Sequence, residues 1–259
     1  MRLAAPADAV ADALWRAHAD GARVPAPTDT LPGLDLDGAY AIQEALVARL
    51  VAAGQRPIGW KVGMVNVIGR TADTPGPIHG RLLSGMVVPD GGTVAAEALH
   101  EPFAEGEIAF ELGSALYGPG IEPGDALAAT AALRPAIEIF ARRLDADAAQ
   151  TPDMVADNAL CAHVVLGEAV APDDLDLRLT GLVLSRSGTI VATGAGAQVL
   201  GDPARSVAWL ANALAARGQG LEAGDVIISG AVAGAHAVSP GDRYTAEFDR
   251  LGTVEVHCT

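Results

Sequence analysis

The chain has 259 residues, half of them hydrophobic, and its 17 basic and 32 acidic side chains give a formal net charge of −15. A chain of this length and composition can bury a sizeable hydrophobic core. The excess negative charge, without a cluster of Lys and Arg side chains, argues against nucleic acid as a partner because the phosphate backbone would be repelled. Apolar runs all fall short of the roughly 20 residues of a membrane span, so we expect no membrane partner.

The cysteines and the N-terminus predict a cytoplasmic location. The two cysteines, Cys161 and Cys258, do not suggest a disulfide framework, and a reducing compartment fits them. The first residues, Met1–Pro6, form no long apolar segment, and acidic side chains follow at Asp8 and Asp12. We therefore expect no signal peptide.

Residues 1–55 are predicted to form an N-terminal helical portion. Asp8–Ala19 carries apolar side chains on one face at helical spacing, and the connector Val24–Asp29, which contains two prolines, follows it. A second helix is predicted over Asp37–Ala53, with its first aspartate as N-cap and Gly54 as the stop signal. The helical portion either precedes a separate core or is continuous with it.

Residues 56–259 are predicted to form a β-rich catalytic core. Two helices are expected within it, over Pro123–Ala132 and Pro203–Arg217. The segment from residue 69 to 81 is predicted to be a loop, because Pro75-Gly76-Pro77 interrupts regular structure. The predicted strands cover Ile58–Met64, Glu107–Leu112, Pro135–Phe140, Leu179–Ser185, Thr189–Thr193, Val226–Ser229, Arg243–Phe248 and Thr253–His257.

Three glutamates are candidate metal ligands. Glu105-Gly106-Glu107 places two carboxylates at positions i and i+2, on the same face of a strand, and Glu138 lies within another apolar strand. A buried glutamate must be ion-paired, hydrogen-bonded or metal-bound, because an isolated buried carboxylate is too unfavourable. Three carboxylates without matching cations favour a hard dication such as Mg²⁺ or Mn²⁺. The alternative is ion pairing with the arginines at Arg134, Arg142 or Arg143.

A lysine inside an apolar strand is a second candidate. Lys61 lies in the glycine-flanked segment Gly59–Gly63. It either extends its ammonium group to solvent or belongs to a site, where it would bind a carboxylate or enolate oxygen. If burial lowers its pKa, it could also transfer a proton. Asp157-Asn158 is likewise either a polar turn or part of a site wall.

Several blocks of the chain match one family. The most specific are Glu105–Phe110, Pro135–Glu138, Val155–Ala159 and Thr193–Ala197, and the match extends from Ala39–Gln43 to the final strands. On these blocks the chain resembles the 2-oxo-4-pentenoate hydratase and 4-oxalocrotonate decarboxylase family, within the fumarylacetoacetate hydrolase superfamily. Together the blocks are far more specific than any single motif.

The resemblance implies an α+β fold, with a mixed β-roll core of the fumarylacetoacetate hydrolase type and an N-terminal helical portion. It implies that Glu105, Glu107 and Glu138 bind the metal and that Lys61 is the active-site lysine. Members of this family bind a small 2-oxo acid through its carboxylate and 2-oxo oxygen. The metal acts as a Lewis acid that stabilises the developing enolate.

One departure from the family pattern bears on the reaction. Hydratases of this group carry an Asp after the proline of the loop, and here that position is Ile78, as in the decarboxylase branch. Pro89–Gly92 also resembles that branch, so decarboxylation, which needs no water-activating carboxylate, is favoured. His79, at an aromatic position, is either a substitute catalytic acid or base or a loop residue that packs or faces solvent.

The other departures change polar side chains. Gly63–Asn66 lacks the family's Thr-Ser, Leu160-Cys161 replaces its Ser-Ser, and Asp202 replaces a His and is expected to cap the following helix. The lost hydroxyl groups suggest a changed and less polar substrate. The substrate-binding residues are expected to be Asn66, Ile78, Leu160 and Cys161.

The sequence favours a metal-dependent lyase that decarboxylates a 4-oxalocrotonate-like 2-oxo acid. The alternatives are a hydratase acting on a 2-hydroxy-2,4-dienoate, a cyclase or isomerase using the same enolate in a specialised biosynthetic pathway, an acylpyruvate-type C–C hydrolase, and a non-enzymatic partner subunit. No obvious His–Glu motif precedes Glu105, which argues against the hydrolase, and the retained glutamates and Lys61 argue against a non-enzymatic role. Expected partners are the 2-oxo acid, further copies of the chain, and a related hydratase or decarboxylase.

Overall fold

The N-terminal portion of the chain is helical, as the sequence predicts. Helix α1 (Ala5–Asp20) is followed by strand β1 (Val24–Pro25), the single turn α2 (Pro27–Thr30) and the long helix α3 (Leu36–Ala52). Within the described part of the chain, the structure contains no helix with the length and apolar character needed to cross a membrane. The computed structural model describes residues 4–66, 76–145, 149–173 and 175–259.

Strands dominate the rest of the described chain, and the α+β fold class is confirmed. The later helices are α4 (Pro123–Ala129), α5 (Thr151–Ala156) and α6 (Pro203–Ala215). The strands after β1 are β2 (Pro57–Gly63), β3 (Ile78–Leu83), β4 (Val87–Pro89), β5 (Thr93–Val94), β6 (Phe103–Leu112), β7 (Thr130–Phe140), β8 (Leu144–Asp145), β9 (Cys161–Leu166), β10 (Gly181–Arg186), β11 (Thr189–Ala195), β12 (Val226–Ala231), β13 (His236–Ala237), β14 (Arg243–Phe248) and β15 (Gly252–Cys258).

Most of these strands form two mixed sheets. The larger sheet has the order β3-β2-β12-β6-β7-β9-β4, and β13 also pairs with β6. Its neighbours are antiparallel except for β2 with β12 and β4 with β9, which are parallel. The smaller sheet has the order β11-β10-β14-β15-β5. Strand β6 therefore lies near the middle of the larger sheet, between β12 and β7.

The two faces of β6 contact different hydrophobic clusters. Ile108 and Phe110 belong to a cluster shared with the smaller sheet and α6, whereas Ala109 belongs to one shared with α1, α3 and α5. Because side chains alternate along a strand, Glu105 and Glu107 lie on the same face as Ala109. The two glutamates thus face the helical layer of the molecule.

The N-terminal helices pack directly on the larger sheet. Leu14 of α1 and Leu46 of α3 are fully buried in the same cluster as Ile228 of β12. The helical layer and the sheet therefore share a hydrophobic core. A division of the chain into residues 1–55 and 56–259 stays a prediction from the sequence.

Several predicted helix ends differ from the structure, and two of the differences have a clear physical cause. Asp35 is the N-cap of α3 in place of Asp37, because its carboxylate accepts a hydrogen bond of 2.8 Å from the backbone N–H of Gly38. The helix predicted over Pro123–Ala132 ends at Ala129, and strand β7 starts at Thr130. Side-chain capping decides the first of these ends, and strand pairing decides the second.

The loop predicted over residues 69 to 81 is wrong at its C-terminal end, where Ile78–Leu83 forms strand β3 along β2. The part of this prediction that falls on residues 69–75 lies outside the described residues. Asp202 does cap α6, because its carboxylate accepts a hydrogen bond of 2.9 Å from the backbone N–H of Ala204.

Gly59 offers a test of the sheet. Its φ is +156°, and a Cβ atom there would lie 1.8 Å from the carbonyl oxygen of Val226 on the paired strand β12. We expect Gly59→Ala to lower the free energy of unfolding by about 3 kcal/mol or more, because the two strands would have to separate. Urea unfolding measures this change.

Gly91→Ala is the matched control. Gly91 has a φ of +70°, and no neighbouring atom lies within 4 Å of the place that an added methyl group would occupy, so only backbone strain of about 1 kcal/mol is expected. Similar losses in the two variants would show that the close contact with Val226 is unimportant.

Candidate metal centre and active-site cavity

The structure brings the three predicted glutamates together. Glu105 on β6 lies directly opposite Glu138 on β7, and Glu107 follows two residues later on the same face of β6. Carboxylate oxygens of the three side chains all lie within 4.8 Å of one another. Glu107 and Glu138 are fully buried, and Glu105 is partly exposed.

Few groups compensate this concentration of negative charge. The backbone N–H of Gly230 donates a hydrogen bond of 2.7 Å to Oε2 of Glu107, and Lys61 forms an ion pair of 3.0 Å with Oε1 of Glu138. Within the described residues, the buried Oε1 of Glu107 and Oε2 of Glu138 accept no hydrogen bond. The cluster therefore holds more negative charge than its protein contacts balance.

The pKa values of the glutamates reflect this imbalance. Burial, followed by the charge of Glu138, raises the pKa of Glu105 to about 7. Burial and the charges of Glu138 and Glu105 raise the pKa of Glu107 well above its ordinary value, although Lys61 and the Gly230 N–H oppose the shift. Groups this close and this poorly solvated resist simultaneous ionisation.

A divalent cation fits this arrangement. The donor set consists of carboxylate oxygens alone, which suits hard cations such as Mg²⁺ and Mn²⁺. Oε1 of Glu107 and Oε2 of Glu138 are free of hydrogen bonds within the described residues, and a cation would satisfy them. The alternative of arginine pairing is wrong: the three candidate arginines pair elsewhere, Arg134 with Glu111, Arg142 with Glu101 and Arg143 with Asp157.

Lys61 is held at the cluster and does not extend to solvent. Its Nζ lies 3.0 Å from Glu138 and donates a hydrogen bond of 3.0 Å to the carbonyl oxygen of Ala159. Burial alone would lower the pKa of Lys61, but the nearby acidic groups, with Glu138 first, outweigh it and raise the pKa. Lys61 is therefore an ammonium group, suited to binding an anionic substrate oxygen.

A cavity of about 440 Å³ opens next to Glu105 and Lys61. Ile78 and Leu160, two of the predicted substrate-binding residues, line it. The alternation of β7 also brings Phe140 into the lining, two residues after Glu138 on the same face. The other lining residues were not indicated by the sequence; they are Gly63, Met64, Phe140, Arg142, Leu144, Ala149, Met154 and Ala159.

Two predicted substrate-binding residues are placed differently. Cys161 is fully buried, and burial together with the nearby charge of Glu138 raises the pKa of its thiol well above the ordinary value, so it lies near a glutamate and is not part of the described cavity lining. Asn66 is exposed and forms an isolated β-bridge with Val199. It too lies outside the described lining of the cavity.

His79 faces away from the glutamates. It follows Ile78 on β3, so its side chain points to the opposite face of the sheet. There it lines a second cavity of about 490 Å³ together with Trp60, and its ring stacks on Tyr40 at a centroid distance of 4.3 Å. The geometry therefore gives no support for His79 as an acid or base at the glutamate site. Of the alternative, the packing is confirmed by the stacking on Tyr40, whereas the loop and the exposure to solvent are wrong, because His79 is buried in a strand.

A left-handed turn next to the cavity explains the Asp-Asn motif. Asn158, Ala159 and Leu160 all have positive φ angles, of 51°, 52° and 63°. The turn aims the Ala159 carbonyl at Lys61 and places Leu160 in the cavity wall. The side chain of Asn158 holds the turn against β3, because it accepts a hydrogen bond from the backbone N–H of Arg81 and donates one to its carbonyl oxygen.

Asp157 anchors the start of this turn. Its buried carboxylate accepts a hydrogen bond of 3.0 Å from Nε of Arg143 and lies 2.9 Å from Nε2 of His18. Burial would raise the pKa of Asp157, but Arg143 and His18 outweigh it, so the pKa is lowered. Asp157, whose role the sequence left open, is therefore a structural anion that ties α1 and the segment after β7 to the turn beside the cavity.

Comparison with known proteins agrees with this fold and site. The family model described as fumarylacetoacetate (FAA) hydrolase, C-terminal, matches residues 68–259. The chain therefore belongs to the fumarylacetoacetate hydrolase family.

Several members of the family are similar over nearly the whole chain. The chain is 37% identical to a 4-oxalocrotonate decarboxylase from Pseudomonas sp. strain CF600, over 95% of this chain and 94% of that protein. It is also 37% identical to a 2-keto-4-pentenoate hydratase from Paraburkholderia xenovorans strain LB400, over 94% of this chain and 91% of that protein. A solved structure of 4-oxalocrotonate decarboxylase from Pseudomonas putida G7, complexed with magnesium and adipate, superposes with a TM-score of 0.92 at 33% identity, covering 98% of this chain and 97% of that chain.

Removing the charge of Asp157 tests the anchor of the turn. Asp157→Asn keeps the size of the side chain but leaves the buried charge of Arg143 unpaired. We expect the free energy of unfolding to fall by about 3–5 kcal/mol, as measured by urea unfolding. Asp12→Asn, in an exposed pair with Arg16, is the control and should change it by less than about 1 kcal/mol. Equal losses would contradict the anchoring role.

The burial of His79 predicts sensitivity to acid. Burial, followed by the charge of Arg217, lowers the pKa of His79 to about 3 from its ordinary value of 6.5. The unfolded state therefore takes up a proton first, and stability present above pH 6.5 is lost as the pH falls from about 6.5 to 3.

His79→Phe preserves the ring that stacks on Tyr40 but cannot be protonated. Between pH 6.5 and 4, the free energy of unfolding of His79→Phe should fall less than that of the unchanged protein, by a difference on the order of a few kcal/mol; urea titrations at each pH measure it. His257→Gln, at an exposed position, should lose as much stability over this pH range as the unchanged protein. An equally large loss in His79→Phe would be inconsistent with a neutral buried His79.

Proposed function

We propose that this protein is a divalent-metal-dependent lyase for a small 2-oxo acid, and that it decarboxylates a 4-oxalocrotonate-like substrate. The main observation in support of this proposal is the cluster of Glu105, Glu107 and Glu138 beside the Lys61 ammonium group, at one wall of a ligand-sized cavity. Relatives at 37% identity named as a 4-oxalocrotonate decarboxylase and a 2-keto-4-pentenoate hydratase support this class of reaction.

The three glutamates would hold the cation, with Mg²⁺ or Mn²⁺ as the proposed ions. A cation bound there supplies a Lewis acid that stabilises negative charge developing on the 2-oxo oxygen of a substrate. Lys61 has three N–H donors; one donates to the carbonyl oxygen of Ala159, and Nζ lies 3.0 Å from Glu138. With these contacts among the described residues, a further N–H of Lys61 would bind the carboxylate or the 2-oxo oxygen of the substrate.

Decarboxylation needs a binding pocket and an electron sink, and no activated water. In a vinylogous 2-oxo diacid, the bond to the distant carboxylate breaks and its electron pair moves through the carbon–carbon double bond to the 2-oxo oxygen. Carbon dioxide leaves, and the remaining dienolate takes up a proton. Ile78, Met64 and Leu160 form an apolar wall for the hydrocarbon part of such a substrate.

The cavity lining favours decarboxylation over hydration. Of the described lining residues, Glu105 alone carries a carboxyl group, and that group belongs to the proposed cation site. Ile78 occupies the position where an Asp would serve the addition of water, and His79 faces the other side of the sheet. Hydration of a 2-hydroxy-2,4-dienoate remains the second candidate, because a hydratase is among the relatives of equal identity.

Self-association is a further proposal, as is association with a related hydratase or decarboxylase. Large side chains such as Leu179 and Ile190 are 73% and 62% exposed, which is compatible with additional contacts. A cytoplasmic location stays a prediction from the sequence.

A proton NMR time course separates the two reactions. The protein is incubated with 2-oxo-3-hexenedioate and, separately, with 2-hydroxy-2,4-pentadienoate, each with Mg²⁺ and with EDTA. We expect loss of carbon dioxide from the first compound with Mg²⁺ and none with EDTA. Hydration of the second compound would replace the decarboxylase proposal by the hydratase. No reaction of either compound, while Mg²⁺ binds, would contradict both.

The cation site is tested without turnover. Glu107→Gln keeps the size of the side chain and an oxygen for the Gly230 N–H, but removes one negative charge from the cluster. We expect the affinity for Mg²⁺ and Mn²⁺, measured by calorimetry, to fall by about tenfold or more, because affinity depends on the number of charged ligands. Glu97→Gln, at an exposed position, is the control and should bind both ions normally. Unchanged affinity in Glu107→Gln would rule out Glu107 as a ligand.

A further inference from the structure

The lining of the active-site cavity includes a cation, Arg142, that the reaction itself does not require. We propose that Arg142 binds the distal carboxylate of a dicarboxylic 2-oxo acid and thereby selects diacids over monoacids. This inference rests on the proposed function, in which the 2-oxo end of the substrate lies at the glutamates.

The charges of the cavity match a substrate with two anionic ends. Of the described lining residues, the charged ones are Lys61, Glu105 and Arg142. The first two belong to the glutamate cluster. The rest of the described lining is largely apolar and includes Ile78, Met154, Leu144 and Leu160.

The spacing along β7 agrees with a six-carbon diacid. Phe140 lies two residues after Glu138, about 7 Å along the strand, and Arg142 follows two residues later. The five carbon–carbon bonds of a six-carbon diacid span roughly 6–7 Å. An arginine side chain that reaches back toward Phe140 can therefore meet the second carboxylate while the first end stays near Lys61.

Neighbouring groups hold Arg142 in place at the mouth of the cavity. Its backbone N–H donates a hydrogen bond of 2.8 Å to the carbonyl oxygen of His100. Its guanidinium group lies 5.4 Å from the ring centre of Phe103, which in turn stacks on Phe140 at 5.3 Å. The cation is therefore positioned before a ligand arrives, which reduces the entropy lost on binding.

The present partner of Arg142 is weakly held. Glu101 lies 3.3 Å from Nη1, and the two side chains are 48% and 54% exposed, so this ion pair contributes little to stability. By contrast, the adjacent Arg143 is buried against Asp157 and serves the fold. Arg142 can therefore exchange Glu101 for a substrate carboxylate, which a guanidinium group binds through two parallel hydrogen bonds.

The expected effect is on binding more than on bond cleavage. In the proposed decarboxylation the distal carboxylate loses its charge as carbon dioxide forms. An ion pair with Arg142 is thus stronger with the bound substrate than in the transition state. Removal of this ion pair should raise KM and leave kcat unchanged or higher.

Binding of stable ligands provides the first test. Adipate carries two carboxylates and hexanoate carries one, and the affinity of the Mg²⁺-loaded protein for each is measured by calorimetry. We expect Arg142→Gln to weaken adipate binding by about tenfold, as for a lost charge-assisted hydrogen bond, and to leave hexanoate unaffected. Glu101→Gln should strengthen adipate binding because it removes the competing carboxylate.

Arg16→Gln is the matched control. Arg16 is an exposed arginine on α1, so this variant has the same change of net charge and should bind adipate normally. Equal weakening of adipate and hexanoate in Arg142→Gln, or unchanged adipate binding in both Arg142→Gln and Glu101→Gln, would overturn the proposal.

Pyruvate separates this inference from the proposed function. It has a 2-oxo acid group and no distal carboxylate, so it reports on the glutamate end of the cavity. If pyruvate fails to bind the Mg²⁺-loaded protein, the proposed function fails. If pyruvate binds normally and the affinity for adipate is unchanged in Arg142→Gln, only the role of Arg142 fails. With 2-oxo-3-hexenedioate as substrate, a fall in kcat at unchanged KM would also contradict a selective role.

Discussion

Repulsion among three buried carboxylates is the constraint around which the active-site region is organised. Glu105, Glu107 and Glu138 bring carboxylate oxygens within 4.8 Å of one another, where the sheet and the helical layer exclude most water. One ammonium group, that of Lys61, and one backbone N–H balance only part of this charge. Burial first, and then this remaining imbalance, raise the pKa values of Glu105 and Glu107, and the imbalance accounts for the fit of a dication.

The support of this centre lies in a layer of buried charges that do not touch the cavity. The carboxylate of Asp157 accepts a hydrogen bond from Arg143 and contacts His18, and so connects the N-terminal helix, the segment after β7 and the left-handed turn that follows. That turn presents a carbonyl oxygen to Lys61 and an apolar side chain to the substrate cavity. The close approach of Gly80 to this turn, where a Cβ would lie 2.5 Å from the Asn158 carbonyl oxygen, explains why β3 has no side chain there. Adjacent arginines thus have different roles, since Arg143 is enclosed by the fold and Arg142 stays at the mouth of the cavity.

Some site predictions from the sequence were close to the structure and others were not, for a physical reason. The i and i+2 spacing of Glu105 and Glu107 predicts a shared face, and the strand geometry delivers it. Ile78 and His79 were both assigned to one loop near the substrate. A strand forms there instead, so the two neighbouring side chains point to opposite faces and only Ile78 reaches the cavity. A local run of glycines and prolines does not reveal pairing with a distant strand.

By itself the sequence determined the helical N-terminal portion and the β-rich remainder, because periodicity is a local signal. It also marked the three acidic residues and the lysine as candidates, whose roles the family resemblance then implied together with the α+β class. Only the tertiary structure decided that Glu105 lies opposite Glu138 and that Cys161 is buried outside the described cavity lining. The tertiary structure also decided that Arg142 and Arg143, adjacent in the chain, have different partners. These features depend on strand register and on turns between distant segments, which residue spacing along one chain does not encode.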